Sequence, residues 1–163
     1  MTKIVKIQFD PDTPNHNLLE LITADGAKEN YFEKVYRVSD CNQINRDSFK
    51  ATIEEKYYRV SPRKKTISCN RDLNIAMQQD ALDIGDYSVS FFLDYDDVCK
   101  LYQLKQKKTD APIIMEGKIL PCHGFSILTK DSKTRKKFPK NSHIDLWKYL
   151  GADLVPFFKE YEV

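Results

Sequence analysis

The chain has 163 residues, 41% hydrophobic and 12% aromatic, so it can bury a core without a metal or disulfide and is too apolar for a disordered tail. Its 26 basic and 24 acidic residues leave a net charge of +2, which by itself argues for neither a nucleic-acid nor a membrane partner. With 5 glycines, no GxGxxG and no Walker-type GxxxxGK, the common glycine-built nucleotide loops are excluded.

In chain order, Ile4, Val5, Ile7 and Phe9 suggest a first strand, and the two prolines of 10–15 a turn. Residues 18–23 are a short apolar run that fits strand or helix, because periodicity cannot decide so short a stretch. A turn at 24–26 leads into a β-rich strand from Tyr31 to Val38. A helix is expected over 45–57, with Phe49 and Ile53 on one face. Residues 63–79 then read as a short strand, Thr66-Ile67-Ser68, turning at Cys69-Asn70 into a helix. Asn70 is suited to its N-cap, and Ser68 and Arg71 sit where free backbone N–H groups face an anion.

Gly85-Asp86 turns into Tyr87–Leu93, the strongest strand signal in the chain, and Asp94 or Asp96 can cap a helix through Val98 and Leu101. Pro112 opens a strand over 113–120, where Gly117 marks a bulge or a close backbone approach. Pro121 bends the chain before a strand over 123–128. Residues 142–150 are ambiguous, although His143, Asp145 and Trp147 alternate with Ile144 and Leu146 as a strand would, and Asp153 can cap a terminal helix with Pro156 in its first turn. The expectation is a single α+β domain over 1–163. Its mixed, mostly antiparallel central sheet would include the strands at Tyr31, Thr66, Tyr87, Ile113 and His123, flanked by three or four helices.

Cys41, Cys69, Cys99 and Cys122 contain no CxxC pair, the N-terminus lacks a signal-peptide core, and no run approaches the ~20 apolar residues of a membrane span. Reduced thiols in a cytoplasmic protein without a membrane partner are therefore expected. His16, His123, His143 and Cys122 fit no zinc spacing, so no metal is assigned. Cys122 and His123, read as strand neighbours, would point to opposite faces and make no catalytic pair; Cys122 then reads as a buried small hydrophobe and His123 as half-buried.

Residues 129–141 carry Lys130, Lys133, Arg135, Lys136, Lys137 and Lys140 against Asp131 alone. Such a run is either a solvated loop or a contact surface for phosphates, nucleic acid included. Trp147, with the aromatic pair Phe157-Phe158, is a candidate partner surface. Ser68, Arg71 and His143 would line a phosphate or nucleotide cleft if their elements adjoin.

A more specific reading comes from Arg37 on the strand Val35-Tyr36-Arg37-Val38, Ser68 in the strand–turn–helix, and Glu116 on the later strand. In this order they resemble the Arg–Ser–Glu arrangement of ADP-ribosyltransferase-like folds, over about residues 35–117. The resemblance implies that Arg37 contacts the pyrophosphate of NAD, Ser68 orders the nicotinamide pocket and Glu116 stabilises an oxocarbenium-like transition state. Beside it stands the broader expectation: a small binding or regulatory module for a protein or anionic partner, with Arg71, His143, Lys133, Arg135, Lys136, Lys137 and Trp147 as its binding residues. No cofactor follows from that reading; NAD belongs to the enzyme alternative alone.

Overall fold

The computed structural model describes residues 7–8, 18–52, 84–107, 112–133 and 142–162. The strand–turn–helix at 63–79, with Ser68 and Arg71, lies outside the described residues, as do Arg135, Lys136, Lys137 and residues 53–57 of the expected 45–57 helix.

The undecided run at 18–23 is helical. Helix α1 (Leu18–Asp25) buries Leu18, Ile22 and Asp25, which recur at helical spacing. It ends at Gly26, whose φ of +109° is the left-handed conformation that glycine adopts without a Cβ penalty. The Gly26 and Ala27 N–H groups then reach back to the carbonyls of Thr23 and Ile22, satisfying two acceptors at the helix end.

Among the described residues six strands follow: β1 (Phe32–Ser39), β2 (Val89–Phe92), β3 (Ile113–Ile119), β4 (Gly124–Leu128), β5 (His143–Lys148) and β6 (Phe158–Glu160). They form one sheet in the order β4-β5-β2-β1-β3-β6, with every pairing antiparallel. Among the described residues there are two α-helices, α1 and α2 (Tyr95–Gln106), so three or four flanking helices are not borne out. The expected helix from Asn45 begins instead as a 3-10 turn, Arg46–Phe49, whose Asn45 cap accepts the Asp47 N–H. The expected terminal helix is also a single 3-10 turn, Val155–Phe157. Asp153 does accept the Val155 N–H at 3.1 Å, but the chain then becomes β6, because the outer edge of β3 offers it a row of backbone partners.

The sheet carries apolar residues on both faces. The larger cluster gathers Val35, Phe49, Phe91, Met115, Ile144 and Phe158, and the smaller one gathers Tyr36, Val38, Phe92, Val98 and Ile114 beneath α2. Gly117 is where the C-terminal segment comes closest. A Cβ there would lie 2.3 Å from the Phe157 carbonyl oxygen and 2.4 Å from the Phe158 ring, the close approach expected of that glycine. No helix among the described residues is long and apolar enough to cross a membrane.

Candidate functional site

Strand pleating separates two of the three residues that carry the ADP-ribosyltransferase resemblance. Arg37 pairs with Met115 across the β1–β3 ladder, whereas Glu116 pairs with Tyr36. Paired residues share a face and successive residues alternate, so Arg37 and Glu116 lie on opposite sides of the sheet. Arg37 is 5% exposed and turned into the larger cluster, its guanidinium 5.8 Å from the centre of the Phe91 ring. It donates to the carbonyls of Ser48 at 2.7 Å, Ser90 at 2.9 Å and Lys50 at 3.1 Å. Glu116 instead meets Lys34 at 3.5 Å on the other face.

Trp147 is likewise no contact surface. It is fully buried, and its indole N–H donates to the Ile84 carbonyl at 2.9 Å. It is buried because the larger apolar cluster packs around it and the Ile84 carbonyl takes its one polar donor. Phe158 is also core, leaving Phe157 half-buried against the His123 ring.

The polar residues of β5 build something the sequence reading left out. His143 and Asp145 alternate with buried Ile144 and Leu146, which places both on one face. Asp145 is buried, with the Ser88 hydroxyl 2.7 Å from one oxygen and the Thr129 hydroxyl 2.6 Å from the other. Thr129 Oγ1 also lies 2.5 Å from His143 Nδ1. A hydroxyl has one proton, so when Thr129 donates to the Asp145 carboxylate it accepts from His143 Nδ1–H, which sets the imidazole tautomer. His143 packs edge-on to Phe92, with ring centres 5.3 Å apart.

A second buried carboxylate holds the same segment. Ser132 donates to Asp25, at the end of α1, at 2.6 Å, and the Lys133 N–H reaches the Asp25 carbonyl at 3.3 Å. Thr129 and Ser132 therefore point inward, each held by an aspartate, while Lys130, Asp131 and Lys133 are exposed. Beside this segment lies a cleft of about 730 Å³, lined by Leu93, Asp94, Asp97, Leu128, Lys130, Asp131 and Ser142. Its wall is ordered by Asp97, which accepts from both the N–H and the hydroxyl of Ser142; those two bonds hold its carboxyl below the usual carboxylate range.

His143 and Lys133, two of the expected binding residues, are thus both tied to this segment, His143 through Thr129 and Lys133 by direct membership. Asp25, Ser88, Thr129, Ser132 and Asp145 were missed. The available signal was the polar pair His143 and Asp145 on one face of a strand whose other face is apolar, a pattern that demands buried partners. No family model matches this chain, and no curated protein or solved structure matches it either. Among the described residues there is no group of three potential metal ligands.

Cys122 and His123 occupy a 3-10 turn, Pro121–His123, rather than a strand. Cys122 is exposed, which corrects its reading as a buried hydrophobe, and His123 is buried rather than half-buried. His123 Nδ1 accepts the Leu120 N–H at 2.9 Å, and Nε2 has no hydrogen-bond partner among the described residues. Burial lowers the His123 pKa below the ordinary 6.5, opposed by the nearby Asp153 carboxylate. The unfolded chain then binds this proton more readily than the folded chain. The contribution of His123 to stability is present above pH 6.5 and is lost as pH falls from there through its folded value. The variant His123→Asn, which keeps an acceptor near Nδ1, should show a shallower loss of stability below pH 6.5 in urea titrations. Parallel pH profiles for variant and parent would remove His123 from the acid response.

Proposed function

We propose that the chain is a small binding or regulatory module that recognises a protein or anionic partner through the surface carrying Lys130 and Lys133. The observation that supports this reading is the double anchoring of residues 129–133. Two buried aspartates, Asp145 and Asp25, hold the Thr129 and Ser132 hydroxyls at 2.6 Å each, and the lysines between and beyond them face solvent. Burying a carboxylate costs free energy unless hydrogen bonds compensate it, and these carboxylates are employed in fixing a surface segment. A backbone fixed in advance loses little conformational entropy when a partner binds its side chains. In sequence the basic stretch continues from Lys133 through Arg135, Lys136 and Lys137.

The enzyme alternative, an ADP-ribosyltransferase-like use of NAD, requires Arg37 and Glu116 to act on one ligand. Their places on opposite faces, and the three carbonyls that occupy Arg37, favour the binding module over it.

The test uses the charge-reversed pair Lys130→Glu and Lys133→Glu. Short RNA and an acidic peptide, titrated at several salt concentrations, should bind the parent with an affinity that falls as salt rises. Charge reversal should weaken that binding by roughly tenfold while stability stays within about 0.5 kcal/mol, because both side chains are solvent-exposed. A flat salt response with equal affinity for parent and variant would return this segment to a merely solvated surface. A thermal shift with NAD alone would revive the enzyme alternative.

A further inference from the structure

A second cleft, sharing no lining residue with the first, lies between the Arg46–Phe49 turn and the loop after β5. Its volume is about 230 Å³, and its charged lining consists of Arg46, Asp47, Lys50, Lys148 and Asp153. Both walls are held from behind. The turn is fixed by Arg37, whose guanidinium bonds the Ser48 and Lys50 carbonyls, and by the reciprocal cap between Asn45 and Ser48. The opposite wall is fixed where Gln8 N–H donates to the Lys148 carbonyl and Ala152 N–H to that of Tyr149. The turn between those last two passes through Gly151 at φ +82°.

Across this cleft the one contact of the Arg46 guanidinium among the described residues is with Asp153 Oδ2, at 3.9 Å. That is too long for a hydrogen bond, and the other oxygen of Asp153 is occupied by the Val155 N–H. Arg46 therefore presents an arginine fork, 78% exposed, whose donors make no hydrogen bond among the described residues. A planar oxyanion matches such a fork by two parallel hydrogen bonds. Lys50 Nζ already faces Asp47 Oδ1 at 3.9 Å, and over the whole lining three cations against two carboxylates leave one positive charge in excess, which suits a monoanion better than a dianion facing Asp47 and Asp153. The volume lies below the roughly 300–1,000 Å³ of sites that enclose a whole drug-sized ligand, so it fits a head group.

We infer that this cleft binds a carboxylate, on a small molecule or at the end of a peptide chain, through Arg46 with Lys148 and Lys50 as supporting charges.

The experiment is an amide-shift titration of the full chain with N-acetylglycine, with its neutral amide N-acetylglycinamide, and with inorganic phosphate. N-acetylglycine should move the amides of Asp47, Gly151 and Ala152 saturably, and the neutral amide should not. Arg46→Gln, at an exposed side chain, should weaken the binding at least tenfold, and Lys148→Gln should weaken it less. Lys133→Glu, outside this cleft, should leave it unchanged, so failure here and failure of the binding-module reading are separately visible. Equal shifts from the neutral amide, parent-like affinity in Arg46→Gln, or no saturable shift up to ~100 mM would overturn the site. Tighter binding of phosphate than of carboxylate would overturn the monoanion assignment.

Discussion

Replacing Arg37 by methionine should destabilise the protein by about 3–5 kcal/mol, since a buried charged donor serving three carbonyls is removed at once. The Ser48 and Lys50 carbonyls lie on the one turn after β1 and the Ser90 carbonyl lies on β2, and the guanidinium joins the two segments. Methionine fills similar space against Phe91 but donates nothing, so the three acceptors lose their partner inside the fold. Lysine is no substitute: one ammonium on a flexible stem cannot reproduce the fork. For a chain of this size the loss corresponds to a fall in Tm of roughly 10 °C, measurable by calorimetry. The same variant separates two roles for this residue. A residue reserved for a ligand would leave Tm near that of the parent, and a Tm within about 2 °C of the parent would refute the clamp.

The second large effect is expected at Gly117. In Gly117→Ala the added methyl would sit 2.3 Å from the Phe157 carbonyl oxygen, a backbone atom that cannot rotate away. Either β3 or the C-terminal segment must move, and the segment is the weaker partner because β6 has three residues and one neighbour. The expected cost is roughly 3 kcal/mol, the upper part of the range for overpacking. It should be concentrated at the C-terminus. The Tyr161 N–H, which donates to the Ile114 carbonyl at 2.7 Å, should exchange with solvent much faster than in the parent, while the amides of the β2–β5 ladder keep their relative protection. Uniform loss of protection across all six strands, or none at all, would contradict local undocking. Phe158 leaves the larger core with β6, so partial exposure of that cluster should accompany the change.

Both effects depend on residues whose importance was unequally visible beforehand. Gly117 was conspicuous because glycine inside a strand weakens it, and its retention signals close approach; the structure identifies what approaches. Arg37 was conspicuous for its charge within a β-rich run, but charge alone does not tell a ligand contact from a clamp on carbonyls. Trp147 shows the converse. An aromatic residue in an alternating strand suits an interface or a core equally well, and only the packing of the larger cluster around it decides for the core.

What the sequence by itself determined is local. The β-branched and aromatic runs at Phe32–Ser39 and Val89–Phe92 are strands and the chain turns at Gly26, each because the preference is settled within a few residues; Asp94 stands before the helix Tyr95–Gln106 but its side chain makes no cap bond there. What only the tertiary structure decided concerns partners distant in the chain. Asp145 meets Ser88 across 57 residues and Asp25 meets Ser132 across 107. The C-terminal turn gives way to β6 where the edge of β3 pairs with it and Phe158 packs into the larger core. Arg37 and Glu116 part company because register and pleat, which single-sequence spacing does not contain, put them on opposite faces. Hydrogen-bond satisfaction and burial are properties of the folded whole, and in this protein they decide which polar residues are held inside and which remain on the surface.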